Sequence, residues 1–484
     1  MKKLVLFLTL AIPYIASATT YYVSPTGNST TATSKDAPGS LTVMVKKLAA
    51  GDVLYLLDGQ YDLTSTLSIN NSGNEDNYIT ICAADGATPI LDFRQQANGN
   101  NMNGVKVSGD YLYIKGLTIR YAGYKGIWLE KAKYCVLEHL DVYGCCNSGI
   151  QLRSGGHNTV VNCDSHDNFD YQDKGGNADG FADKQGEACP GNVYIGCRAW
   201  NNSDDGWDSY QRVTSGTPTV YINCITYNNG PASYNLSEHP RVVGVDAGLD
   251  CFKGKDLKHF PNGGNPNGFK LGGKSTKHNA ELYRCLAVGH RGKGFDQNSN
   301  AGNMLIVNCT SYKNNRNYGF YNNNGYHLTI YNSISLSGEQ ADDFQSAVTT
   351  ESHNTWSKGF SVSENDFESL DVKGMILSPR QADGTLPNTL LLHLKATATN
   401  LIDKGMECGS DMFEGDKIGD HLTYNGTCPD LGCYEYDSSA TGFLNIETDK
   451  ELYNAHALSY DLQGHKIGDS YKGIFIQSGR KFLR

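Results

Sequence analysis

The chain has 484 residues, a formal net charge of −10, 54 glycines, 30 tyrosines and 14 cysteines. The negative charge argues against nucleic acid as a partner, and against an acidic polysaccharide unless a divalent cation links the two. The glycine and tyrosine content favours short strands and frequent turns over a helical bundle.

Residues 1–18 have the layout of a cleavable secretory signal. Lys2 and Lys3 precede the apolar run LVLFLTLAIPYIA, and Ala16-Ser17-Ala18 offers a small-residue cleavage site. No later segment approaches the ~20 apolar residues needed to span a bilayer. We therefore expect a mature protein that starts near Thr19 and is secreted, periplasmic or held at the surface of a bacterial cell.

Residues 40–51 (SLTVMVKKLAAG) combine a serine N-cap, an apolar stripe and a terminal glycine. This pattern predicts a short amphipathic helix that covers the first turn of the structure that follows.

A repeated phrase with a cysteine at one fixed point indicates a solenoid. Its period is about two dozen residues, with two longer insertions. The cysteines are Cys163, Cys197, Cys224, Cys285 and Cys309, and we place Gly116, His139 and Ser333 at the same point of other copies. We expect these cysteines to be buried free thiols; disulfides are the alternative.

A second phrase, glycine followed by a bulky apolar residue, recurs in step with the first. Its glycines are Gly126, Gly149, Gly180, Gly206, Gly268, Gly294 and Gly319. Short strands at this period predict an all-β fold, a right-handed parallel β-helix, with the residue after each glycine stacked inside.

The period fades after about residue 335, and the end of the chain differs in character. We divide the chain into a signal peptide (1–18), a β-helix domain (19–438) and a small C-terminal β module (439–484). The ending KGIFIQSGRKFLR resembles the tails of many secreted bacterial proteins, which implies sorting or anchoring.

Alignment on the glycines brings four carboxylates together. Adjacent rungs lie ~4.8 Å apart, so Asp179 would sit beneath Asp205, with Asp204 and Asp208 on the same turn as Asp205. Such a patch repels itself unless a cation occupies it, and oxygen ligands alone favour Ca²⁺. The alternative is a set of solvated acids, or acids paired with Lys184 and Lys270.

Lys270 follows Asp208 in the same column. A bound divalent cation would lower the pKa of a neighbouring lysine and so allow it to act as a general base at alkaline pH. Together these features indicate β-elimination on a uronic acid polymer. The lysine would remove the C5 proton, the cation would stabilise the charge on the substrate carboxylate, and a 4,5-unsaturated sugar would result.

The motifs NADGFADK (177–184), SDDGWD (203–208) and NGFKLGG (267–273) resemble those of polysaccharide lyase family 9, as do SHNTW (352–356) and LGCYEY (431–436). The resemblance covers most of residues 20–436. It implies a calcium-dependent pectate lyase with Asp179, Asp204, Asp205 and Asp208 as Ca²⁺ ligands and Lys270 as the base. Because the family also includes enzymes similar to rhamnogalacturonan lyases, these motifs leave the substrate backbone open.

Several assignments keep alternatives. An inverting polygalacturonase on the same scaffold would use a pair such as Asp204 and Asp205 without calcium, and a non-catalytic carbohydrate-binding β-helix would need no base. Arg291 follows the metal rungs and is our candidate for contacting substrate, with a solvated surface arginine as the alternative. We expect a monomer that binds an acidic pectic polysaccharide.

Overall fold

The computed structural model describes residues 18–321, 327–344, 348–408, 422 and 424–437, and three strands in the range 459–483. Almost all of the predicted signal peptide, residues 1–17, lies outside the described residues. So does the predicted domain boundary at residue 438.

Three parallel sheets wind around one axis, and each turn visits them in a fixed order. The strands of the first sheet are Thr20–Val23, Val53–Leu56, Ile79–Ala83, Leu112–Lys115, Val136–Glu138, Thr159–Val161, Val193–Ile195, Thr219–Ile222, Ala280–Tyr283, Met304–Val307, His327–Tyr331 and Val348–Ser352. Those of the second are Gln60–Asp62, Ile90–Asp92, Thr118–Arg120, Asp141–Tyr143, Asp164–His166, Arg198–Trp200, Ile225–Tyr227, Leu286–Val288, Thr310–Tyr312 and Ile334–Leu336. Those of the third are Leu67–Ile69, Val105–Val107, Ile127–Glu130, Ile150–Arg153, Phe181–Asp183, Trp207–Asp208, Phe269–Lys270, Lys293–Asp296 and Arg316–Gly319. The predicted parallel β-helix is confirmed.

The remaining elements are short. Two antiparallel pieces stand apart from the coil: Ser233–Tyr234 with Phe260–Pro261, and the three strands Ser459–Asp461, Ile474–Gln477 and Arg480–Leu483. The α-helices are Leu41–Met44 and Val372–Ile376, and the 3₁₀ helices are Tyr171–Asp173, Asp250–Phe252, Leu257–His259 and Glu364–Asp366. None of the described helices has the length and apolar character that crossing a bilayer requires.

The N-terminal helix forms where predicted but is only four residues long, Leu41–Met44. Leu41 and Met44 are buried in the core at this end of the coil, whereas the Ser40 side chain makes no capping hydrogen bond. A helix this short has few internal hydrogen bonds, so burial of its apolar face is what holds it in place.

The cysteine column is buried inside the coil, and its thiols are free. Cys163, Cys197, Cys224, Cys285 and Cys309 are fully buried, and none of the 14 cysteines, all of which lie in described segments, forms a disulfide. Ser333 continues the column, since its hydroxyl accepts the backbone N–H of Cys309 at 3.3 Å.

The two earlier copies of that column were predicted one residue too early. Gly116 donates its N–H to the carbonyl of Glu138, and His139 donates to that of Val161, which aligns both with the turn residue Asn162. Both have positive φ, as has Asn162. On the two preceding turns of the coil, the buried position that Cys163 occupies is therefore taken by Leu117 and Leu140. Their apolar side chains fill the same space.

Aromatic rings stack inside the third sheet at the rungs of the predicted site. The ring of Trp207 lies 4.6 Å from that of Phe181 and 4.8 Å from that of Phe269, both nearly parallel to it. Phe269 in turn stacks on Phe295 at 5.1 Å. The residue after each glycine thus points inward, as predicted, and adds stacking to apolar burial.

The glycine column exists because consecutive rungs approach too closely for a side chain. A Cβ added at Gly206 would lie 2.7 Å from the carbonyl oxygen of Gly268, and one at Gly268 would lie 2.5 Å from that of Gly294. Both neighbours are backbone atoms of the adjacent strand, so they cannot move aside.

The last glycine of the series, Gly319, breaks the predicted register. It pairs with Asp296 rather than with Gly294, and Tyr318 pairs with Phe295. A shift of two residues keeps the same side chains facing inward, so the hydrophobic pattern does not reveal it. The Tyr318 ring stacks on Phe295 at 5.1 Å, and its hydroxyl donates to the carbonyl of Ile334 at 3.2 Å.

Residues after the last complete turn fold back over the outer face of the second sheet. They form a separate apolar cluster with the strands beneath them, which contains Leu286, Tyr312, Ile334, Phe367, Leu391, Leu394, Leu401, Leu431 and Cys433. The outer face of the third sheet holds the predicted site.

Candidate active site

Asp208 and Lys270 share one column on the outer face of the third sheet. The strand register pairs Ala182 with Asp208, Asp208 with Lys270, and Lys270 with Asp296. Alignment on the glycines therefore gives the correct neighbours over these rungs, each about 4.8 Å from the next.

Asp179 and Asp205 lie side by side on adjacent rungs, as predicted. The backbone N–H of Asp205 donates to Oδ1 of Asp179 at 3.3 Å. Oxygens of Asp179, Asp205 and Asp208 all lie within 4.8 Å of one another, and all three residues are buried. Three carboxylates this close repel one another strongly unless positive charge lies between them.

Asp204 belongs to the same turn but is held differently. Its Oδ2 accepts the backbone N–H of Asn177 at 3.0 Å, and its Oδ1 accepts that of Asn265 at 2.8 Å. The structure thus brings three of the four predicted ligands into one group and engages Asp204 with the two flanking loops. A carboxylate has about four acceptor positions, so these two bonds leave capacity for a further partner.

Two lysines supply the positive charge within the patch. Nζ of Lys270 lies 2.9 Å from Oδ2 of Asp205 and 3.3 Å from Oδ1 of Asp208. Nζ of Lys184 lies 2.7 Å from both Oδ2 of Asp179 and Oδ2 of Asp208. The alternative pairing with these two lysines is therefore present in the structure, alongside the predicted convergence of the acids.

The electrostatics of the patch follow from burial and from these pairs. Burial raises the pKa of Asp179 to about 6, with Lys184 opposing the rise and the neighbouring acids adding to it. Burial also raises the pKa of Asp205 well above its usual range. For Asp208 burial acts in the same direction, but Lys184 and Lys270 outweigh it, and its pKa falls below the ordinary value.

The acids also shift the pKa of Lys270. Burial disfavours its ammonium form, but the carboxylates, Asp205 above all, outweigh burial and raise its pKa well above the ordinary value. The aspartates alone therefore keep Lys270 protonated, and a cation that neutralised them would remove this effect.

Two polar residues that were not predicted as site residues support the acids from the column that precedes the glycines. The Ser148 hydroxyl donates to Oδ2 of Asp179 at 2.8 Å. Asn267 donates its backbone N–H to Oδ1 of Asp205 at 2.7 Å and its side-chain amide to the same oxygen at 2.9 Å. Their place directly before Gly149 and Gly268 was the available signal, because that column also holds Asp179 and Asp205.

Arg291 lies beside this patch, on the loop side. Its side chain is exposed, and its guanidinium donates to the carbonyl of Asn262 at 2.8 Å and to that of Gly264 at 2.6 Å. In this position Arg291 fastens the inserted loop that ends at Asn267. Its predicted contact with substrate stays a prediction.

The donor set fits a hard divalent cation. Its ligand atoms are carboxylate oxygens, without histidine or cysteine, which is the preference of Ca²⁺. With all groups ionised, the four aspartates and the paired Lys184 and Lys270 leave a net charge of −2. One divalent ion would balance that charge.

The chain is similar in sequence to a family of β-helix proteins and to known pectate lyases. The model of the family described as "Pel9A-like, right handed beta helix region" matches residues 21–333. The chain is 34% identical over 433 residues to pectate lyase L of Dickeya dadantii (strain 3937), covering 87% of this chain and 91% of that protein. It is 30% identical over 412 residues to pectate lyase L of Paenibacillus polymyxa (strain SC2), covering 80% and 84%.

Solved structures agree with the sequence matches. The crystal structure of pectate lyase Pel9A is similar with a TM-score of 0.73 and 32% identity, over 88% of this chain and 98% of that one. A rhamnogalacturonan lyase is similar with a TM-score of 0.65 and 25% identity, over 79% and 97%. These matches confirm the predicted right-handed coil.

Proposed function

Because this chain belongs to the Pel9A-like right-handed β-helix family, and is thus a pectate or rhamnogalacturonan lyase, we propose that it is a secreted, calcium-dependent pectate lyase. Membership of a lyase family rules out the two alternatives left open by the sequence, a hydrolase and a non-catalytic β-helix. The observation that carries the finer proposal is the contact of Lys270 with the buried carboxylates of Asp205 and Asp208, at 2.9 and 3.3 Å.

Asp179, Asp204, Asp205 and Asp208 would hold the calcium ion. When bound, Ca²⁺ would offset the charge of the aspartates and of the substrate carboxylate, and so stabilise the charge that builds up during proton removal. Ser148 and Asn267 fix the orientation of two of the ligands through the hydrogen bonds described above.

Lys270 is the proposed general base. Its neutral amine accepts the C5 proton of a galacturonate unit, and the electron pair of that C–H bond forms the C4–C5 double bond. The C4–O bond breaks, and the departing glycosidic oxygen takes a proton from water. The products are a new reducing end and a 4,5-unsaturated uronide, and the working form of Lys270 requires alkaline conditions.

The division of the chain follows from the same proposal. Residues 1–18 would direct export, residues 19–438 would form the catalytic domain, and residues 439–484 would serve sorting or anchoring. Arg291 would contact the acidic substrate from the loop beside the metal site.

Ultraviolet absorbance of the unsaturated product tests the proposal directly. Polygalacturonate incubated with the enzyme should give rising absorbance that EDTA abolishes and added Ca²⁺ restores. Saturated products, or equal rates with and without EDTA, would refute the proposed chemistry.

Rhamnogalacturonan lyase is the second candidate, because a protein of that name is similar over 97% of its length. Parallel assays on polygalacturonate and rhamnogalacturonan under identical calcium concentrations decide between the two backbones.

A further inference from the structure

A buried lysine without a polar partner lies on the same face as the proposed metal site. Lys125 is 7% exposed, and its ammonium makes no hydrogen bond or ion pair with any residue that the structure describes. Burial, reinforced by the nearby positive charges of Lys184 and Arg153, lowers the pKa of Lys125 to about 7. Glu130 and Asp170 are near enough to oppose this lowering of the pKa, but neither forms an ion pair with Lys125.

Aromatic rings and a second lysine surround this ammonium. Nζ of Lys125 lies 3.6 Å from the ring centre of Tyr124 and 5.2 Å from that of Trp128. Nζ of Lys106, on the preceding rung, lies 4.5 Å from the same Trp128 ring. The indole N–H of Trp128 is buried and has no hydrogen-bond partner among the described residues.

Such an arrangement costs stability unless something binds there. A buried ammonium without a counter-charge and a buried N–H without an acceptor are both unfavourable in a folded protein. One anion with oxygen acceptors could supply the missing counter-charge to both ammonium groups, because both lie over the Trp128 ring.

This cluster lies in line with the proposed metal site along the coil. Backbone hydrogen bonds from Gly126 to Ser148 and from Gly149 to Asp179 place Lys125 two rungs before Asp179 in one column. The separation is about 10 Å along the coil. A linear polymer lying along the third sheet would therefore meet the acidic metal rungs and this basic cluster with different sugar units.

We propose that Lys125, Lys106 and Trp128 form a distal subsite that binds the carboxylate of a uronate unit other than the reacting one. The proposal rests on the proposed function and deepens it. The metal and Lys270 handle the reacting unit, whereas this cluster offers positive charge to a second carboxylate of the polymer. A carboxylate bound there would raise the pKa of Lys125 and so keep its ammonium form under the alkaline conditions that Lys270 requires.

Contact with this charge should change KM rather than the chemical step, because the reacting atoms are remote.

The test compares Lys125→Met with the wild type. Methionine fills a similar space without the charge, and Lys133→Gln removes an exposed lysine of the neighbouring turn as a matched control. We expect Lys125→Met to raise KM for polygalacturonate about tenfold or more, with kcat nearly unchanged and thermal stability equal or higher. The control should match the wild type.

Binding in the absence of turnover separates this inference from the proposed function. In a Lys270→Ala background, calorimetry should show hexagalacturonate binding weakened about tenfold by Lys125→Met and unaffected by Lys133→Gln. Unchanged affinity, or an equal loss in the control, overturns the subsite even if the wild type is an active pectate lyase. A wild type that cleaves no uronate polymer instead overturns the proposed function.

Discussion

At the scale of single residues, the site is defined by a balance of buried charges. Asp208 is the shared partner, since Lys184 and Lys270 approach its two different oxygens at 2.7 and 3.3 Å. Burial disfavours the ammonium form of Lys184, but Asp179 and Asp208 outweigh burial and raise the pKa of Lys184 above its ordinary value. Its contacts hold these two carboxylates in place.

Replacement of the proposed base tests this assignment. We expect Lys270→Ala to lower kcat by about 10²- to 10⁴-fold or more, while folding and calcium binding persist, because only the proton acceptor is removed. Lys274→Ala is the matched control, since both lysines lie within 5.8 Å of the Tyr210 ring but Lys274 is exposed and forms no ion pair with the acids among the described residues. Substantial residual turnover in Lys270→Ala would count against the assignment.

The raised pKa of Asp179 predicts how calcium and pH combine. A carboxyl whose folded pKa is about 6, against 3.8 ordinarily, stabilises the fold below about pH 4 and loses that contribution as the pH rises through about 6. The loss amounts to about 3 kcal/mol. Binding of Ca²⁺ to the ionised carboxylates should restore the stability that is lost.

We therefore expect the gain in unfolding free energy on adding Ca²⁺ to be near zero at about pH 4 and to grow through about pH 6. Denaturant unfolding with and without calcium measures it. Taking the difference cancels other titrations, such as that of buried His278, whose pKa burial lowers to about 4. A gain independent of pH would contradict calcium binding at Asp179.

At the scale of elements, the third sheet is held by its internal ring stack and by close contact of successive strands. Trp207 lies two residues from Asp205 and directly before Asp208, so its burial between two rings fixes the turn that carries three acids. The stack thus links packing of the core to geometry of the site.

Truncation of the central ring tests this link. Trp207→Ala should destabilise the protein by about 3–5 kcal/mol and weaken calcium binding, because a cavity forms beneath the acids. Trp207→Phe should cost much less, since the buried indole N–H has no hydrogen-bond partner to lose among the described residues. Equal unfolding midpoints for wild type and Trp207→Ala would show that the stack is dispensable.

The glycine column offers a second test at this scale. Gly206→Ala should lower stability and activity, because its Cβ would lie 2.1 Å from Oγ1 of Thr226 and 2.7 Å from the Gly268 carbonyl. Gly248→Ala is the control, since a Cβ there meets nothing within 4 Å. Thermal unfolding compares the two, and similar losses would speak against the close-approach argument.

At the scale of the whole molecule, the segment after the coil is part of the folded domain. It covers the second sheet, and Leu431 and Cys433 belong to the shared apolar cluster. The folded unit therefore extends well past the last turn of the coil, and the predicted domain boundary at residue 438 stays a prediction.

We expect a chain that ends at Asp437 to keep full lyase activity and thermal stability, because no site residue lies beyond that point. A chain that ends at Leu390 should unfold at a much lower temperature, since Leu286, Tyr312 and Ile334 would lose their cover. Loss of activity in the longer chain would assign the C-terminal module a part in catalysis.

The sequence by itself determined the period, the inward and outward faces and the column that joins Asp208 to Lys270. It could do so because strands of a parallel coil stack in register, so that equal offsets from successive glycines become contacts. The tertiary structure alone decided the hydrogen bonds of Asp204 to two loops, the reach of Lys184 and the isolated ammonium of Lys125. It also decided the two-residue shift at Gly319 and the one-residue offset of Gly116 and His139. Side-chain direction at turns and the path of long insertions depend on packing between distant segments, and a repeat does not encode that packing.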